Sequence, residues 1–182
     1  NIRASRARGV SGMAWGQGEL IATPASIARL ISGVANKGTL VANRYVLKIS
    51  DSTTKVKPGI KLANDPQYAA LLTDYMLKQS ANKGYTLGIT VAGKTGTPER
   101  IWKKERINDG WYVFFAPKKS GPGHVVVCIR IESTRGSSKA VQLAGKHVVP
   151  ALLDLGYIKD FKPPIAKPVK KETIVVKKDS IN

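Results

Sequence analysis

The residues of this chain best suited to chemistry lie together in Thr90–Arg100, which reads T-V-A-G-K-T-G-T-P-E-R. On an extended backbone, side chains alternate between faces, so the hydroxyls of Thr95 and Thr97 fall on one side and can face one cleft. Lys94 brings a positive charge and a partner for proton transfer. Gly96 removes a side chain where another backbone must come close. A strand edge carrying these groups can pair with an extended peptide and bind its charged end.

The same letters admit a second reading. Gly88-Ile89-Thr90-Val91-Ala92-Gly93-Lys94-Thr95 fits the phosphate-binding pattern G-x-x-x-x-G-K-[ST]. That pattern works only where a strand ends, a loop wraps phosphates with its amides, and a helix opens at the Lys. Here the preceding strand is replaced by Ser80-Ala81-Asn82-Lys83-Gly84, and Ile89, Thr90 and Val91 in the loop favour extended chain. Gly96 and Pro98 interrupt the helix within its first turn. A P-loop NTPase is therefore the weaker assignment.

The elements that must position Lys94–Thr97 are legible from caps and periodicity. Thr23-Pro24 is a helix start, with Ile27, Leu30, Ile31 and Val34 at helical spacing and Asn36-Lys37-Gly38 as the stop. Asp65-Pro66 repeats the start, and Tyr68, Leu71, Leu72, Tyr75 and Met76 mark one face of a second helix, which Asn82-Lys83-Gly84 ends. Leu40–Ile49 reads as a strand or extended chain broken at Asn43-Arg44, and Lys55–Asn64 as polar connection. Thr86–Thr95, Trp111–Ala116 and His124–Glu132 read as strands, the last two joined by a hairpin turn over Lys118–Gly123. Ala140, Leu143, Val148, Ala151 and Leu152 predict a final helix finishing near Gly156. Asn1–Gly18 reads as loop. The expected fold is α+β, an antiparallel sheet flanked by helices. Residues 1–160 would form its ordered part, and 161–182 a Lys- and Pro-rich tail, extended or disordered.

Composition bounds the function. With 182 residues, 42% hydrophobic and 23% charged, the chain can build one core. The net charge of +18 attracts anions of any kind. It is spread along the chain, with no basic helix interleaved with aromatics and no RNA-recognition or zinc-finger pattern, so nucleic acid is not the expected partner. Cys128 is single and sits in an apolar run, as a buried small side chain does. His124 and His147 have no neighbours at metal-ligand spacing, and neither a metal nor a cofactor is expected.

Three blocks together resemble a known family. Trp15-Gly16-Gln17-Gly18-Glu19-Leu20 with Ala22-Thr23-Pro24 and Ala35-Asn36-Lys37-Gly38 is similar to a G-Q-G…T-P…A-N-x-G block. Gly93-Lys94-Thr95-Gly96-Thr97 is similar to a G-K-T-G-T strand, and Trp111–Pro117 to the W-F-x-G-[FY]-A-P strand that follows it. Their order and spacing over roughly Ser11–Tyr157 resemble the C-terminal part of a penicillin-binding protein transpeptidase domain, closest to class B. K-T-G is one of that superfamily's signature elements.

The resemblance implies a partial transpeptidase fold whose parent acylates a serine with a D-Ala-D-Ala stem peptide. Lys94 would assist proton transfer, and Thr95, Gly96 and Thr97 would bind the stem peptide or a β-lactam through its carboxylate. The Thr97 amide would be one oxyanion donor. Gly16-Gln17-Gly18 would be a structural loop. Implied partners are the upstream remainder of the domain and other cell-wall synthesis proteins, and the implied location is extracytoplasmic. In the family the S-x-x-K nucleophile and S-x-N elbow precede all three blocks, so both are expected upstream of Asn1, leaving this chain without an acylatable serine. A D,D-carboxypeptidase or a non-catalytic wall-binding module would carry the same strand. Pro98 and Phe114-Phe115 depart from the family pattern and would narrow the cleft or mark a divergent subgroup.

Overall fold

The computed structural model describes residues 12–14, 16–17, 20–55, 57–62, 64–82 and 87–161. In chain order the elements are α1 (Pro24–Ala35), β1 (Thr39–Leu40), β2 (Lys48–Ile49), β3 (Ser52–Thr53), β4 (Ile60–Lys61) and α2 (Pro66–Asn82). They continue with β5 (Ala92–Gly96), β6 (Glu99–Trp102), β7 (Glu105–Asn108), β8 (Gly110–Pro117) and β9 (His124–Ile131). The last are α3 (Ser138–Leu143), a π-helical turn Ala144–Val148 and α4 (Val149–Asp154).

Both long helices begin where their caps dictate. Thr23 is extended (φ −89°, ψ 156°) and its Oγ1 accepts from the Ser26 amide at 3.1 Å, with Pro24 following. Such a cap is worth about 1 kcal/mol. The stop also forms: Lys37 and Gly38 are left-handed (φ 54° and 86°), and the Gly38 amide donates to the Gly33 carbonyl at 2.8 Å. At α2, Asp65 Oδ1 accepts from the Gln67 amide at 2.8 Å.

The central sheet has the order β5-β8-β9, all antiparallel. The hairpin predicted at Lys118–Gly123 is present, with Pro117 opposite His124 and the Lys118 amide donating to Gly123 at 3.1 Å. Helices cover both faces, which is why β8 reads as a nearly continuous apolar run. Tyr112, Phe114, Ala116 and Ile129 pack with Val141, Ala144 and Val149 from the C-terminal helices. Ala92 and Phe115 pack with Met76 and Leu77 of α2, joined by Ile31 and Val34 of α1. Each such large side chain removed from water contributes about 1.5–3 kcal/mol. The final helix spans the predicted stretch and ends at left-handed Gly156 (φ 72°). It widens to a π-turn just before Pro150, which has no amide to donate back one turn.

Several expectations need correction. Of the two readings of Leu40–Ile49, strand or broken extended chain, the continuous strand does not form: two-residue β1 pairs with β4 and two-residue β2 with β3. Without a partner strand along its length, Tyr45, Val46, Leu47 and Ile49 stay exposed. Lys55–Asn64 accordingly includes β4. The strand expected at Thr86–Thr95 begins only at Ala92 and runs through Gly93 to Gly96, because left-handed Gly88 (φ 77°) bends the chain and the Thr90 amide turns to Asp160 Oδ1 at 2.9 Å.

Of the α2 face expected from Tyr68, Leu71, Leu72, Tyr75 and Met76, only Met76 is buried. Tyr68, Leu71, Leu72 and Tyr75 are exposed, whereas Ala69, Met76, Leu77 and Ser80 are buried. The helix is apolar on two faces, and close approach to β5 at Gly93 selects the one with small residues. A Cβ on Gly93 would stand 2.8 Å from Ser80 Oγ and 2.9 Å from Tyr112 Cε2. Finally, β6 and β7 form a hairpin that sequence reading missed. Residues 162–182, and with them the tail assignment, and most of 1–19 lie outside the described residues. Within the expected N-terminal loop, however, Gly12–Ala14 are helical, with the Gln17 amide donating to the Gly12 carbonyl at 2.8 Å.

Candidate active-site strand

Lys94, Thr95 and Gly96 lie in β5, the outer strand of the central sheet, and Thr97 directly follows. Their register against β8 is fixed: Lys94 opposite Val113, Thr95 opposite Tyr112, Gly96 opposite Trp111. Burial falls along the strand, from fully buried Ala92 to exposed Lys94 and Thr97, so the chemistry-bearing end reaches solvent. Lys94 Nζ donates to the Thr95 carbonyl at 2.6 Å. Since Lys94 and Thr95 pair within a sheet, the phosphate-binding reading, which needs a helix starting there, is excluded.

Gly96 has open space around it. A Cβ there would meet only Trp111 Cβ, at 3.4 Å. The fold itself therefore does not demand this glycine.

Thr97 is held from three directions. Gln17, 80 residues earlier, donates from Nε2 to the Thr97 carbonyl at 3.2 Å, and its Oε1 accepts from the Glu99 amide at 3.0 Å. Pro98 between them has no amide, and its carbonyl accepts from the Asp109 amide at 3.1 Å. On the third side lies the turn Thr134–Gly136. Thr134 Oγ1 donates to the Gly136 carbonyl at 2.7 Å and accepts from its amide at 3.1 Å. A Cβ on Gly136 would be 3.7 Å from Thr97 Oγ1.

Beneath Thr97 sits a buried ion cluster. Asp109 is 2% exposed and accepts from Arg100 Nε at 3.1 Å, from Arg130 at 2.7 Å and from the Ser133 amide at 3.1 Å. Burial alone would raise its pKa, but the Arg130 hydrogen bond, the Ser133 amide and Arg100 together outweigh that and hold the carboxyl below its usual value. Arg130 also lies 5.6 Å over the Trp111 ring. The cluster ties β6, β8 and β9 together at the end of the strand.

Sequence reasoning missed both Gln17's contacts and this cluster. A signal for the hairpin existed: Glu99-Arg100-Ile101-Trp102 and Glu105-Arg106-Ile107-Asn108 share their first three residues across a two-residue turn. Both turn residues, Lys103 and Lys104, are left-handed (φ 49° and 69°), as such turns require. Their lysines replace the Asn-Gly or Asp-Gly that would have announced it.

Phe114 and Phe115 do not narrow the cleft. Both are fully buried, Phe114 towards the C-terminal helices and Phe115 towards α1 and α2. A separate apolar groove of about 460 Å³ opens between α1 and α2, walled by Phe115, His124 and Phe161, and none of Lys94–Thr97 lines it.

The serine motifs need a further correction. Their letters do occur here: Ser52-Thr53-Thr54-Lys55 and Ser80-Ala81-Asn82-Lys83 each spell S-x-x-K, and Ser80-Ala81-Asn82 spells S-x-N. Both follow the Gly16-Gln17-Gly18 block instead of preceding it. Ser52 is exposed in a two-residue strand. Ser80 is 7% exposed at the far end of α2, against Gly93. Neither sits at the opening of a helix facing Lys94's exposed end. Among the described residues no group of three or more His, Cys, Asp or Glu could hold a metal ion, and no helix is long and apolar enough to cross a membrane.

Residues 5–149 match the penicillin binding protein transpeptidase domain family. Among solved structures, the chain is similar to PBPA from Mycobacterium tuberculosis, at 27% identity and a TM-score of 0.65, over 82% of this chain and 36% of that one. It is similar to the D,D-transpeptidase domain of a peptidoglycan glycosyltransferase from Eggerthella lenta at 28% identity and a TM-score of 0.55, over 74% and 33%. PBP2 of Helicobacter pylori, solved in complex with MreC, shares the fold at 23% identity and a TM-score of 0.59, over 81% and 27%. The chain thus spans about a third of the length of the solved structures it matches. No curated protein matches it.

Proposed function

Because this chain belongs to the penicillin-binding protein transpeptidase family, we propose that it is the C-terminal portion of a serine D,D-transpeptidase that cross-links peptidoglycan stem peptides outside the cytoplasmic membrane. The observation that carries this reading is the placement of Lys94–Thr97 at the solvent-reaching end of an outer sheet strand. Lys94 faces the nucleophile and helps move its proton. Thr95 and Thr97 hydroxyls hold the substrate carboxylate, and the Thr97 amide stabilises the developing oxyanion, a donor worth about 2.7–4 kcal/mol. The nucleophile comes from the upstream remainder of the domain, and acyl transfer passes from that serine to an amine. Other cell-wall synthesis proteins are the expected partners, as MreC is for the Helicobacter pylori relative.

The test is β-lactam acylation of the full-length parent. Lys94→Ala should lower the second-order rate constant by two orders of magnitude or more, on the scale of a lost acid–base group. Lys118→Ala, in the β8–β9 turn, should stay near wild type. Equal rates for Lys94→Ala and wild type would overturn the assignment.

A further inference from the structure

Gln17 makes two hydrogen bonds that no neighbour in the fold duplicates by chemistry. Between β5 and β6, Pro98 has no amide to donate, although its carbonyl accepts from the Asp109 amide. A carbonyl at Thr97 and an amide at Glu99 are left facing the same way. A carboxamide offers one donor and one acceptor at that separation. Gln17 fills both, with Nε2 at 3.2 Å from the Thr97 carbonyl and Oε1 at 3.0 Å from the Glu99 amide. It thereby bridges the two residues on either side of Pro98.

We propose that Gln17 is a positioning residue for the reaction: its side chain fixes the peptide plane between Thr97 and Pro98 and so limits how far the Thr97 backbone and hydroxyl can turn relative to the substrate. This deepens the transpeptidase reading and rests on it. It also revises the expectation that Gly16-Gln17-Gly18 serves packing alone. The argument is geometric. The carbonyl that Gln17 holds belongs to the same residue whose amide and hydroxyl would meet the acyl group and carboxylate. Asp109 fixes the next carbonyl along, at Pro98, from the opposite side. Releasing Gln17 would remove the side-chain bond at the Thr97 carbonyl, while the Asp109 amide still holds the Pro98 carbonyl and the Asp109 carboxylate still holds Arg100. A misplacement on the order of 1 Å in such a segment is enough to slow a reaction about a hundredfold.

The test uses the full-length parent and three variants: Gln17→Met, which keeps length without hydrogen bonds, Gln17→Glu, which keeps the acceptor, and Lys94→Ala. Gln17→Met should lower the β-lactam acylation rate constant about tenfold to a hundredfold with the melting temperature little changed. Gln17→Glu should be slow at pH 7, where a carboxylate faces the Thr97 carbonyl. Its rate relative to wild type should recover toward pH 4.5, as the protonated carboxyl regains a donor. Melting temperatures of Gln17→Glu at both pH values separate this from a purely structural role, in which the rate would follow the loss and recovery of folded protein. If Lys94→Ala is crippled while Gln17→Met acylates at the wild-type rate, the positioning role is refuted and the site stands. If both acylate normally, the site reading itself fails. A pH-independent ratio for Gln17→Glu, or a Gln17→Met loss that matches its loss of folded protein, also overturns the proposal.

Discussion

At the scale of the residue, two glycines in one strand play opposite parts. Gly93 is demanded by the fold, since a Cβ there would press on Ser80 Oγ and Tyr112. Gly96 is not, since its added Cβ would meet only Trp111 Cβ at 3.4 Å. Gly93→Ala in the parent should therefore lose about 1–3 kcal/mol through overpacking. Gly96→Ala should melt near wild type yet acylate β-lactams more slowly, because its methyl group enters space kept for substrate. Thermal melts beside acylation rates separate the two, and a destabilised but fully reactive Gly96→Ala would contradict the placement of the cleft. This difference was invisible in the letters G-K-T-G, where the two glycines look alike.

At the scale of the element, the β6–β7 hairpin depends on Asp109. Its carboxylate is 3% exposed and shared by Arg100 and Arg130, each 29% exposed. Asp109→Asn should destabilise the parent by about 3 kcal/mol, the lower end for breaking a buried pair, because both guanidinium groups keep contact with water and with Glu132. Its lowered pKa sets a pH signature. A carboxyl whose folded pKa lies below its unfolded value contributes stability that is fully present above about pH 3.9 and is lost as pH falls through the folded value. Melting temperatures measured from pH 5 downward should fall less steeply for Asp109→Asn than for wild type. Parallel slopes would show that Asp109 is not the group responsible. No periodicity announces this cluster, because Arg100 of β6, Asp109 between β7 and β8, and Arg130 of β9 meet only after folding.

At the scale of the whole molecule, the proposed function would have the chain hold one side of a site. It spans about a third of the solved structures it matches, and the apolar face Tyr68, Leu71, Leu72 and Tyr75 of α2 is uncovered in it. The 182-residue chain alone should form no covalent adduct with a fluorescent penicillin, since acylation needs an activated nucleophile. Denaturing electrophoresis reads this directly. A labelled band whose adduct maps to Ser52 or Ser80 would mean that one of these S-x-x-K stretches is a working nucleophile and the assigned chain order is wrong.

The sequence by itself determined what local chemistry can fix. Caps at Thr23 and Asp65, the stops after α1 and the final helix, the β8–β9 hairpin and the α+β class all follow from short-range rules. Lys94–Thr97 were singled out by residue type together with their resemblance to the family's G-K-T-G-T strand. Tertiary structure decided the rest, because the deciding contacts are far apart in the chain. Which face of α2 is buried depends on the missing side chain of Gly93. The place of Lys94 in a strand, and not at a helix start, depends on pairing with Val113 in β8. The fixed position of Thr97 depends on a glutamine 80 residues away. Spacing within a motif cannot encode such partners; only the approach of separate segments brings donor to acceptor.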